Sequence, residues 1–239
     1  MLNFTNNKSF ASSAASSTSY DLGLRSYMIK VYNFMAIALA ISGVVAFLVS
    51  SSPALMSAIF GTPLSWVVML APLGFVFFFG YKISRISADK AKSYLWIFAG
   101  LMGLSMSTIF TVYTGTSIAR VFFISSTTFG LTALYGYTTK KDLTAMGSFM
   151  IMGLIGLIIA SLVNMFLQSS ALHFATSILG IIIFIGLTAY DSQRIKQMYY
   201  HISSSSEEVS KMAVMGALSL YMDFINLFMT MLNFFGERK

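Results

Sequence analysis

The chain has 239 residues, 56% of them hydrophobic and only 10% charged, with a mean hydropathy of +0.77. A soluble domain carries about 25% charged residues, so composition excludes one, and the apolar residues fall into runs of roughly twenty, the length that crosses a bilayer. The net charge of +7 raises the question of nucleic acid, which its distribution along the chain answers below; with no cysteine, disulfides and thiolate-bound metals are excluded.

The first 22 residues are polar and Ser-rich (ASSAASSTS), without an apolar signal-peptide core. They are expected to form a disordered cytoplasmic tail, leaving 23–239 as one transmembrane domain. Seven spans follow, at about 31–51, 63–81, 94–113, 117–136, 146–167, 172–190 and 213–235. Pro53 and Pro63 flank the break between the first two. Pro72 falls inside span two, where a kink is tolerated if neighbouring groups satisfy the freed carbonyl. Spans three and four nearly fuse, and Tyr113-Thr114-Gly115-Thr116 is taken as the break. SSSSEE at 203–208 reads as a solvated loop.

Lys and Arg near the span ends set the orientation. With the N-terminus inside, twelve lie on the cytoplasmic side: Lys8, Arg25, Lys30, Lys82, Arg85, Lys90, Lys92, Lys140, Lys141, Arg194, Lys196 and Lys211. Three lie on the other side, Arg120, Arg238 and Lys239. This asymmetry predicts a cytoplasmic N-terminus and an outside C-terminus. It also accounts for the basic charge, so no nucleic-acid partner is expected.

Eight acidic residues are present, and six of them (Asp21, Asp89, Asp142, Glu207, Glu208 and Glu237) fall in the tail, the loops or the C-terminus. Asp191 ends span six in GLTAYDSQRIK, and Asp223 sits about ten residues into span seven in LSLYMDFINLFMTML. A charge at that depth costs at least ~2.5–3.5 kcal/mol, and intramembrane ionisable residues usually face a cavity or a partner. In the plainer reading Asp223 is simply protonated and hydrogen-bonded to a neighbouring helix, at Asn164 or Tyr190, while Asp191 caps or snorkels at the headgroups. The sharper reading pairs them. Spans six and seven run antiparallel and are joined at one membrane face, so the two acids can meet and share a proton or a cation.

The residues at this point resemble the Bax inhibitor family of transmembrane proteins. The likeness rests on KVYNFMAIALAISG at 30–43, YGYTTKKDLTAMGSF at 135–149, TAYDSQRIK at 188–196 and ALSLYMDFINLFMTMLNFFG at 217–236, and it covers the chain after the tail. The resemblance implies an all-α membrane protein of seven helices, six around a central seventh, and a proton-sensitive passive calcium leak. It places the di-aspartyl sensor on Asp191 and Asp223. In bacterial members a cation at the end of span two pairs with an aspartate when the pore is shut; GYKISR offers Lys82 or Arg85 for that latch.

Residue chemistry agrees with that implication. Two adjacent carboxylates cannot both ionise cheaply, so such a pair holds one proton in common and titrates as a unit. It does what histidine usually does, and His173 and His201 fall in loops. Calcium takes 6–8 oxygens, so Asp191 and Asp223 with carbonyls and water would make only a weak transit site. No resident cofactor is expected.

No enzyme reading fits as well. An intramembrane aspartyl protease would use Tyr190-Asp191, but it needs GxGD where Tyr221-Met222-Asp223 stands, and the only Pro-Ala-Leu, at 53–55, lies far upstream. No His lies in a span for a rhomboid-type serine protease, and no Lys in span seven for a retinal protein. The remaining alternative is an interaction protein that modulates a membrane protease or a cell-death or stress factor, with Gly100, Gly103 and Ser107 packing helices within or between chains. The charge bias and the lack of an ER-retrieval signal predict a bacterial inner membrane, with the endoplasmic reticulum as the alternative.

Overall fold

The computed structural model describes residues 6–201 and 205–239, with side chains from Leu22 onward. Among these residues the chain forms α1 (Asn6–Ser50), α2 (Pro53–Phe60), α3 (Leu64–Lys82), α4 (Ala88–Met106), α5 (Ile109–Val112), α6 (Gly115–Thr138), α7 (Thr144–Leu167), α8 (Ser170–Tyr200) and α9 (Ser206–Phe235). A single 3₁₀ turn, Ile83–Arg85, follows α3. Seven helical segments are long and apolar enough to cross a membrane, and the first of them begins at Leu22. The backbone of α1 nevertheless starts at Asn6, inside the segment whose composition predicts a disordered tail. A helix already nucleated downstream extends without a second nucleation cost.

Local signals explain the boundaries. Ser52 caps α2, its hydroxyl accepting the Leu55 N–H, with Pro53 at the first helical position. The expected break between spans three and four is real: Tyr113 is extended, and the Thr114 hydroxyl accepts the Ser117 N–H to start α6. Span three itself is interrupted at Ser107–Thr108, which separates α4 from the single turn α5. Span six departs from expectation at both ends: α8 begins at Ser170, so His173, expected in a loop, lies within the helix. Rather than ending at Asp191, α8 continues to Tyr200, because Ser192, Gln193, Arg194 and Lys196 all find partners across the bundle.

Helix α9 is the axis of the bundle. Its most apolar stretch is 67% buried, against 33% or less for every other span. Around it stand α1, α4, α6 and α8 in direct contact, while α3 packs on α4 and α7 packs on α8 to complete the outer ring. In α7 none of the membrane stretch is fully buried within the protein: Phe149, Ile155, Ile158, Ile159 and Leu162 face lipid, while Leu154 and Leu157 pack against the core. Lipid is as apolar as they are, and helix association in a bilayer relies instead on close packing at small residues. A Cβ on Gly136 would run into the Ala189 carbonyl of α8, and one on Gly147 into the Tyr190 ring. Gly103 of α4 would place its Cβ 2.6 Å from the Ser42 carbonyl oxygen of α1. Ser107 is likewise fully buried, whereas Gly100 meets nothing within 4 Å.

Gly136→Val is therefore expected to force α6 off α8 and lower stability by about 1–3 kcal/mol, the usual overpacking range. Gly100→Ala should be neutral or slightly stabilising. Thermal unfolding of both variants in detergent checks the contrast.

Candidate functional site

One stretch of α8, Tyr190 to Lys196, organises the inner part of the bundle. The Ser192 hydroxyl donates to the Ala133 carbonyl of α6 at 2.7 Å and lies 3.1 Å from the Tyr32 hydroxyl of α1. Gln193 is buried and clamps the α6–α7 loop: its amide donates to the Lys141 carbonyl at 2.7 Å, and its oxygen accepts the Leu143 N–H at 2.8 Å. Lys196 donates to the Tyr137 carbonyl at 2.8 Å, with its ammonium 5.3 Å from the centre of that ring. In the loop so held, Asp142 accepts the hydroxyl (2.6 Å) and the N–H (2.9 Å) of Thr144. Those two bonds keep the Asp142 carboxyl below the usual carboxylate range and cap the first turn of α7.

With α8 pinned on three sides, Asp191 is presented to α9. It is 9% exposed, and Asp223, on the central helix, is 7% exposed. Their carboxyl groups lie close enough to interact with each other. A bond between two carboxyl groups exists only while one of them carries a proton. The Asp223 Oδ2 atom is fully buried with no hydrogen-bond partner among the described residues, which an ionised oxygen tolerates poorly.

The cation at the pair is Arg194, one helical turn beyond Asp191. Its Nη2 lies 3.3 Å from the Asp191 Oδ1 and 3.3 Å from the Ser219 hydroxyl of α9. Its guanidinium carbon sits 5.6 Å from the centre of the Tyr190 ring. With its side chain 42% exposed, Arg194 closes the pair toward water.

Sequence reasoning thus places the two acids together and misses their cation. Lys82 and Arg85 stand at the far end of α3, where Arg85 stacks 5.2 Å over the Tyr81 ring. Among the described residues neither forms an ion pair. The signal for Arg194 was available: an acid and a base at i and i+3 share a helix face. Of the plainer partners for Asp223, Asn164 is engaged at the opposite end of α7, where its oxygen accepts the Ser169 N–H at 2.9 Å. Tyr190 packs on Gly147 and Arg194 instead.

Residues 24–239, which include the whole of this site, match the family described as inhibitor of apoptosis-promoting Bax1. The chain belongs to the Bax inhibitor-1 family. Its relatives within that family include an uncharacterized protein of Rickettsia prowazekii, 51% identical over 220 residues, covering 92% of this chain and 93% of the relative. The inner membrane protein YbhL of Escherichia coli is 40% identical over 219 residues, covering 91% and 94%. An uncharacterized membrane protein of Streptococcus pyogenes is 30% identical over 222 residues, covering 92% and 96%. The chain is accordingly an integral membrane protein, and the matches include both aspartate-bearing helices.

The Gln193 clamp gives a stability prediction independent of any transport role. Gln193→Ala leaves the Leu143 N–H and the Lys141 carbonyl without their partner and should cost about 1–3 kcal/mol, the range for orphaned buried groups. Gln193→Glu keeps the acceptor for the Leu143 N–H but sets a buried carboxyl against the Lys141 carbonyl, so it should lose less than alanine only at acid pH, where a protonated carboxyl can donate. Unfolding temperatures in detergent compare the two.

Proposed function

We propose that the protein is a passive, pH-sensitive calcium leak of a bacterial inner membrane, gated by the proton that Asp191 and Asp223 share. The observation that carries this reading is the burial, side by side, of two acids from different spans with one cation beside them. While the proton is held, the pair bonds α8 to the central helix and bears at most one charge. Once it leaves, two like charges face each other across a few ångströms of low-dielectric interior, where their repulsion is far larger than in water. The same contact is thus a bond in one protonation state and a wedge in the other.

Calcium suits the deprotonated pair without being trapped by it. Among the described residues no group of three or more acidic, His or Cys side chains comes together. An ion at Asp191 and Asp223 would draw the rest of its 6–8 oxygens from backbone and water, an arrangement for transit rather than storage. Arg194 competes with the ion for the Asp191 carboxylate and is the natural latch of the shut state. Lys82 or Arg85 would take that part only after α3 shifts toward the pair.

Calcium entry into dye-loaded proteoliposomes, followed from about pH 6 to 8, tests the reading, because a pair that shares a proton titrates as one unit. Asp191→Asn and Asp223→Asn should each flatten the pH dependence. Removing a potential charge from apolar surroundings costs little, so both should fold. A wild type that conducts nothing would replace the leak with a role as partner to a membrane protease or a cell-death or stress factor; mutants that keep the wild-type pH profile would remove the aspartate gate.

Latch identity is read in the same assay. Arg194→Gln should raise the leak at neutral pH, because the shut state alone loses a contact, whereas Lys82→Ala and Arg85→Ala should leak like wild type. The reverse ordering would return the latch to α3. The twelve-to-three distribution of Lys and Arg further supports an N-terminus in the cytoplasm and a C-terminus outside, and reporters active on one side only should give opposite signals at the two termini.

A further inference from the structure

The central helix carries a polar residue at every third or fourth position along most of its membrane stretch: Ser219, Asp223, Asn226, Thr230 and Asn233. At 3.6 residues per turn, that alternation keeps all five on one narrow stripe. Hydrocarbon cannot satisfy such a stripe, so it must face protein partners or water. The first two residues are accounted for by Arg194 and Asp191. The other three lead away from the pair, toward the end of the bundle where α8 begins; there the Asn233 oxygen accepts the Tyr113 hydroxyl at 2.8 Å.

Asn226 is the telling residue. Its backbone carbonyl accepts the Thr230 hydroxyl at 2.7 Å, yet its side-chain amide bonds to no described residue. It lines a cavity of about 360 Å³ that also borders Ser105 and Thr108. One turn on, Thr230 and Asn233 line a second cavity, of about 150 Å³, whose wall is largely polar and includes His173 and Ser177 of α8 and Ser161 of α7. The first opening lies between α3, α4 and α9, and the second between α7, α8 and α9. Water fits the second, where polar groups line most of the wall; in the first, whose wall is mostly apolar, it finds Ser105, Thr108 and Asn226 as partners.

We infer that the Asn226–Thr230–Asn233 stripe is a hydrated cation route joining the aspartate pair to the membrane face at which α8 begins. The inference rests on the leak reading above and assigns its path. Neutral amide and hydroxyl oxygens can replace part of an ion's hydration shell without holding it. At ~1.5 Å per residue, the ten residues from Asp223 to Asn233 span roughly 15 Å, so three polar steps suffice.

The chain has no cysteine, so a single introduced thiol is unique. Asn226→Cys, Thr230→Cys and Asn233→Cys would be exposed, in sealed proteoliposomes, to a small cationic membrane-impermeant methanethiosulfonate added on the side where α8 begins. Two controls frame the rates: Leu232→Cys, at a fully buried core position, and Met152→Cys, at a position 63% exposed on the outer ring. Only a hydrated thiol forms the reactive thiolate. A cationic reagent pays at least ~2.5 kcal/mol in hydrocarbon, so stripe positions should label roughly sixtyfold faster than either control, at 1.4 kcal/mol per decade. Modification of Asn226→Cys should also reduce calcium entry, and Asn226→Leu, which removes a polar group and should fold at least as well, should reduce it without any reagent. Labelling of Asn226→Cys and Thr230→Cys no faster than Leu232→Cys, in protein that still leaks calcium, would overturn the route and leave the leak standing. Fast labelling in protein that passes no calcium would overturn the conducting role of the stripe and the leak together, while its hydration remained.

Discussion

Asp223 lies on the helix that every layer of this bundle surrounds, and a carboxyl there has to be given a partner before the helix can sit in a membrane. The partner is Asp191, and the requirement spreads outward from it. To reach Asp223, Asp191 must be held at one rotation and one height of α8. The residues that follow it do that holding, through Ser192 to α6, Gln193 to the α6–α7 loop, and Arg194 to α9. In a soluble protein a chain of single hydrogen bonds contributes modestly, since water competes for every group. Here the competing solvent is lipid over most of the surface, and leaving any of these groups unpaired is the costlier alternative.

The same constraint explains why the helices are unequal. α9 is the most buried span and carries the acid; α7 carries no acid in its apolar middle and is the least buried. Glycine fixes where the outer helices can approach. Gly136 and Gly147 let α6 and α7 close on α8 at the level of Ala189 and Tyr190, immediately beside Asp191. Close packing and acid placement are therefore one arrangement. Any motion that separates Asp191 from Asp223 must also work against those contacts or pivot about them.

How much of this is readable from the chain follows from the physics of each feature. Membrane crossings are legible because a bilayer demands long apolar runs, and no other environment does. The two acids are legible because a carboxyl in such a run is rare and expensive. The break at Tyr113–Thr116 is legible as a short interruption between two apolar runs, and the structure adds the extended tyrosine and the Thr114 cap. Arg194 is legible only as spacing, three residues beyond Asp191, because its positive-inside role and its pairing role put the same residue in the same place, and only the rotation of α8 separates them. The extension of α8 to Tyr200 is hidden for a related reason: beyond Asp191 the sequence turns polar, which reads as the end of a span although the helix itself continues. The Asn226–Thr230–Asn233 stripe is visible as spacing, but its meaning depends on which cavities α9 borders, and that is a property of packing.

A leak differs from a pump or a store in what its site must avoid. High affinity would stop the ion, and a dry apolar barrier would exclude it. A pair of carboxyls with one arginine lies between those limits. In the proposed leak, the arginine would keep one carboxyl neutralised when no ion is present, so the site would never be an unpaired double charge. A shared proton would remove the second charge. An ion entering the pair would displace a proton or a guanidinium rather than fill an empty cage, so part of its binding energy would offset the loss of an interaction already present. On that reading, affinity is held down by competition inside the site. A third carboxylate would raise affinity faster than the competitors could lower it, and among the described residues none comes near.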